Sequence, residues 1–173
     1  NKVIADSIRF HLKQINNGDL ELRLKHALQA KQLAEKHSSN SLKLKSHLEL
    51  SSMYFETDRN YHLSHLKTIY DNTMFLNDSH RALRLATKLN DTVSLAKVYK
   101  NLGYYFFDKS LDSAYYYDNK AEKLFRALND HFNTAVVLLD IALLQQDEKD
   151  YAGSEITSVS GLFLLDMLDE TNE

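Results

Sequence analysis

Cysteine and proline are both absent from the 173 residues, and glycine occurs only at Gly18, Gly103, Gly153 and Gly161. Without cysteine there can be no disulfide, no thiolate nucleophile and no Cys-ligated zinc, although the absence leaves the compartment open. Without proline, nothing removes a backbone donor or clashes with a preceding turn, so helix can follow helix unbroken. A β-sandwich or an α/β sheet of this length needs more turn punctuation than four glycines supply. No run approaches the roughly 18 apolar residues of a membrane span, and no signal-peptide pattern opens the chain, so no direct membrane contact is expected. Lys and Arg number 21 against 24 Asp and Glu, a net charge of −3. No whole-chain basic field is there to recruit nucleic acid. The chain starts at Asn1 rather than Met and is read as a fragment of a longer protein.

What is present is helical periodicity. Leu20, Leu24, Ala27, Leu28, Ala30, Leu33 and Ala34 form one stripe at three- and four-residue steps, the spacing of an amphipathic helix. Polar junctions such as Asn16-Asn17-Gly18-Asp19, Asn90-Asp91-Thr92, Asn129-Asp130 and Glu148-Lys149-Asp150 cut the pattern into helix-sized pieces and offer N-cap side chains. The pattern predicts helices over 3–16, 20–37, 41–57, 61–75, 78–89, 93–107, 111–128, 131–146 and 151–168. Within 58–78, either one helix or two fits, because Asn72 and Asn77-Asp78 could each break the run.

Self-similarity organises these helices. Leu85 to Leu102-Gly103 and Leu124 to Ile141-Ala142 each run through Leu-Asn-Asp into a following helix, with their end pairs 39 residues apart. Leu33 to Leu50-Ser51 has the same internal spacing but lies 52 residues before the middle copy, implying an insertion near 58–78. Such a period marks a repeat array of helix–turn–helix units.

Tyr99, Leu102, Gly103 and Phe106, followed by the small residues Ala114 and Ala121, resemble the tetratricopeptide repeat (TPR) family. The next unit continues with Leu138, Ile141 and Ala142, then Ser154 and Gly161, and the earlier one has His47, Leu50, Ser51 and Tyr54. The resemblance covers the chain from about residue 18. It implies an all-α fold of antiparallel hairpins stacked as a TPR-like α-solenoid, one repeat domain over 1–173. Repeats near 39 residues with Asn/Asp-rich junctions are similar to divergent Bacteroidetes-type arrays in sensor kinases and transcription regulators. The analogy leans towards a periplasmic sensor region without excluding the cytoplasm.

By the same resemblance, Lys97, Lys100, Tyr104, Phe107 and Asp108 line a groove, joined by Leu139, Leu143 and Gln146 of the next unit and by Lys45, Leu48, Ser52 and Phe55 of the earlier one. Aromatic anchors beside lysines suit a polypeptide guest, though another helix of the same protein could fill the groove. Lys100 and Asn101 match two positions of the family's carboxylate clamp, but Tyr104 replaces the expected Asn, so chaperone-tail binding is not expected.

The remaining constellations read as ordinary surface. His62 and His65 stand three apart without an assured carboxylate partner, so no metal is expected. No carboxylate pair, phosphate-binding glycine loop, nucleophile elbow or H-E-x-x-H occurs, and neither an enzyme nor a cofactor is expected. Arg81, Arg84 and Lys88 read as a solvated helix face rather than a nucleic-acid ridge. The last helix is apolar nearly all round, and Leu162, Phe163, Leu165 and Leu168 are the expected interface, with missing helices or with a second copy in a homodimer.

Overall fold

The computed structural model describes residues 2–37, 39–59 and 65–170. Among these the protein is all-helical, without a strand: α1 Lys2–Gln14, α2 Leu20–Glu35, α3 Asn40–Arg59, α4 Leu66–Ile69, α5 Asn72–Leu89, α6 Thr92–Phe106, α7 Leu111–Ala127, α8 His131–Asp147 and α9 Tyr151–Glu170. Helices pack on their sequence neighbours, and the chain divides into two compact units, Asn1–Ser94 and Leu95–Glu173.

The turns explain how the chain manages without proline. Asn90, Asn129 and Lys149 adopt left-handed backbone at φ 52°, 55° and 66°, and Gly18 at φ 92°. Each is followed by an Asp whose carboxylate accepts a backbone N–H of the next helix: Asp19 from Leu22, Asp91 from Ser94, Asp130 from Asn133 and Asp150 from Gly153. At the last three turns the Asp N–H also bonds back to the helix before, as in Asp130 to Phe125 O at 3.0 Å. One dipeptide thus closes one helix and caps the next.

The 58–78 stretch needs a correction. Residues 60–64, and with them Tyr61 and His62, lie outside the described residues. Beyond them, the break falls at Tyr70-Asp71, not at Asn72 or Asn77-Asp78. Tyr70 is extended at φ −138°, and Asp71 caps α5 through Met74 N–H. The helix expected from 78 therefore begins at Asn72, and Asp78 lies inside it with its side chain buried.

In the first unit, α2 packs on α1 and α3, and α3 packs on α5, around Ile8, Leu24, Ala27, Ala30, Leu50, Phe75 and Ala82. In the second, α8 packs on α7 and α9. Its core joins Ala96, Ala121, Phe125, Val137 and Ile141. The small residues permit close approach. A Cβ on Gly103 would stand 1.8 Å from Asp118 Oδ1, and one on Gly161 would stand 3.3 Å from the Ala135 carbonyl oxygen. Leu102, Ala114, Ala121 and Ala142 are buried, and Ser154 is half-buried. Phe106 of α6 stacks on Tyr117 of α7 at 5.6 Å between ring centroids, so the aromatic runs Tyr104-Tyr105-Phe106-Phe107 and Tyr115-Tyr116-Tyr117 meet across that hairpin.

Candidate functional site

On α6 and the turn that follows it, Lys97 and Asp108 are exposed, while Lys100, Tyr104 and Phe107 are half-buried. Lys100 is committed to the scaffold. Its ammonium donates to Asn133 Oδ1 at 2.6 Å, tying α6 to α8, and lies 5.7 Å from the Phe125 ring centre. Burial lowers its pKa, partly opposed by Asp140 and Asp130. On α8, Phe132, Val136, Leu139, Leu143 and Gln146 recur at helical spacing. Leu139 is half-buried, its Cδ2 in ordinary contact distance of a Cβ on Gly161. Leu143 and Gln146 remain exposed, and so does Phe132, which the family pattern did not indicate.

The first unit contains a better-defined feature. Between α1 and α3 lies an open cleft of about 440 Å³ lined by Arg9, Leu12, Lys13, Asn16, Leu42, Lys45 and Glu49. Arg9 and Lys13 stand one turn apart on α1, Asn16 follows in the turn after it, and Lys45 and Glu49 are one turn apart on α3. Leu12 and Leu42 supply an apolar floor, while Arg9, Lys13 and Lys45 are exposed around it. Arg9 also meets Asp6 on the solvent side at 2.9 Å. Of these residues the sequence pattern indicated only Lys45. Leu48, placed by analogy beside it, is buried, Ser52 is half-buried, and the Phe55 side chain lies outside the described ones. Arg9, Lys13 and Asn16 precede the part of the chain that resembles a repeat. Their signal was the polar i, i+4, i+7 row in the helix expected over 3–16.

The first unit also holds a buried polar network around Asp78, His47 and Tyr70. Asp78 accepts from Lys31 Nζ and is joined to His47 Nδ1, each at 2.7 Å, and His47 Nε2 lies 2.6 Å from Glu35 Oε1. This network links α2, α3 and α5. Burial acts upward on the Glu35 pKa, but the hydrogen bond and charge of His47, with Arg81 and Lys43, bring it below the ordinary value. Tyr70 is buried beside it, its phenol pKa raised by burial and by the Asp78 charge. The network thus cross-braces three helices of the first unit. Among the described residues no group of three His, Cys, Asp or Glu side chains has metal-binding geometry. His65 is exposed, 3.7 Å from Glu21.

No known family model, curated protein or solved structure matches this chain.

Proposed function

We propose that this chain is a non-catalytic module that binds a segment of another polypeptide. The observation that carries the reading is the α1–α3 cleft, where Arg9, Lys13 and Lys45 outnumber the half-buried Glu49 around an apolar floor between two neighbouring helices. An acidic side chain of the guest meets Arg9, Lys13 and Lys45, while an adjacent apolar one packs on Leu12 and Leu42. The exposed Leu143 and half-buried Tyr104 and Phe107 offer a second run of contacts along α6 and α8.

Within each unit the hairpins are read as TPR-like repeats stacked in α-solenoid fashion. Packing in sequence order supports this, as does the burial of Gly103, Ala114, Ala121 and Gly161. In the same reading the module is the sensory or scaffolding part of a bacterial signalling or regulatory protein. Its support is the similarity of the Asn/Asp-rich junctions to those of such arrays.

The test is fluorescence anisotropy with a labelled peptide of alternating Leu and Glu. Lys13→Glu with Lys45→Glu should weaken binding by about tenfold or more, with helical circular dichroism unchanged because both side chains are exposed. Wild-type affinity in the double variant would remove the cleft from the mechanism.

A second reading, a structural oligomerisation domain joined through α9, draws on the exposed Leu162 and Phe163. Leu165 and Leu168, expected in that interface, are half-buried. Sedimentation over a concentration series separates the readings, since only this one requires self-association.

A further inference from the structure

We propose that the outward face of α9 is a docking seam for one amphipathic helix of another protein, with an apolar stripe flanked by Lys and Arg. The seam is a different surface from the α1–α3 cleft, on the other unit, and selects the opposite charge.

Helical geometry divides α9 into two opposed faces. One packs on α8: Gly161 is buried, and Ser154, Thr157, Ser158, Leu164, Leu165 and Leu168 are half-buried. The other carries Ala152, Ile156, Val159, Phe163 and Met167, at steps of four, three, four and four. Ile156, Val159 and Phe163 are 69%, 59% and 63% exposed. That spacing is the seam of a helix–helix contact, and bulky apolar residues in a continuous row mark an interaction surface.

Charge decides the occupant. Tyr151–Glu170 contains Glu155, Asp166, Asp169 and Glu170 and no Lys, Arg or His. Glu155 and Asp166 are exposed along one edge of the seam, beside Val159. Three of the four acids fall in or next to the last turn, where the helix dipole is already negative and cations are the favoured neighbours. A second copy fits poorly. Antiparallel pairing centred on the seam sets Glu155 of one helix against Asp166 of the other, and parallel pairing sets each acidic edge beside the partner's opposite edge at Ser160, which carries no cation. An anionic lipid surface is disfavoured for the same reason. A helix with basic flanks satisfies both the stripe and its acidic border.

The probes are two synthetic helical peptides with the same Leu stripe, one flanked by Lys and one by Glu, titrated calorimetrically into the whole chain. The Lys-flanked peptide should bind, and the Glu-flanked one about tenfold more weakly or worse. Val159→Asp with Phe163→Asp should abolish binding, and Glu155→Lys with Asp166→Lys should invert the preference while leaving the stripe intact. Lys13→Glu with Lys45→Glu should leave Lys-flanked binding unchanged, which separates failure here from failure of the cleft. Circular dichroism checks that the exposed substitutions leave the helices formed. The proposal is overturned if the Lys-flanked peptide does not bind, if it binds the Val159/Phe163 variant equally, or if the peptides are not distinguished. A dimer in sedimentation equilibrium that the Val159/Phe163 variant dissolves would assign the seam to a second copy instead.

Discussion

At the scale of single residues, Asp118 is the least expected group in the protein. Its side chain is fully buried against Gly103, and neither carboxyl oxygen has a hydrogen-bond partner among the described residues. Burial, reinforced by the like charge of Asp140, raises its pKa to about 8. The folded value exceeds the unfolded one, so the folded protein holds this proton more tightly. Its contribution to stability is fully present below the ordinary carboxylate pKa and is lost as pH rises through about 8. Asp118→Asn should remove this dependence and stabilise the protein at pH 8 by roughly 1–3 kcal/mol. Urea denaturation at pH 5, 7 and 8.5 checks it, and an unchanged pH slope in the variant would refute the account. Gly103 follows from the same contact, since any larger residue would displace the Asp118 carboxyl.

At the scale of elements, the turns matter most. Lys149 holds a left-handed conformation that side chains disfavour, so Lys149→Gly should stabilise the protein by up to about 1 kcal/mol. Asp130→Ala removes the acceptor for Asn133 N–H and should cost about 1 kcal/mol. Urea midpoints of the two variants should therefore move in opposite directions, and a shared sign would contradict the turn analysis. These junctions were readable beforehand, because Asn-Asp and Lys-Asp steps between periodic segments state a stop and a start locally. The 58–78 stretch was less readable. Both Asp71 and Asp78 are acceptable caps in isolation, and only the burial of Asp78 against Lys31 and His47 puts it inside a helix.

At the scale of the whole molecule, the net charge of −3 conceals a polarity. Residues 1–94 hold 14 Lys and Arg against 10 Asp and Glu, a net +4, whereas 95–173 hold 7 against 14, a net −7. A basic cleft on one unit and an acid-bordered seam on the other match this division. Raising NaCl from about 50 to 500 mM should therefore weaken both the Glu-rich and the Lys-flanked peptide severalfold. Salt-insensitive binding of either would show that its site acts through apolar contact alone.

The amino-acid sequence by itself determined the helical class, most helix ends and the small residues at the close approaches. Those properties depend on neighbours within a few positions, on periodicity and on capping chemistry. Only the tertiary structure decided which polar residues are available to a partner. Lys97 and Lys100 look alike in sequence, yet Lys100 is bonded to Asn133 while Lys97 stays exposed. Arg9 and Lys13 become part of a site only because α1 lies beside α3. Availability depends on what another helix brings within a few ångströms, and that information is not local to the chain.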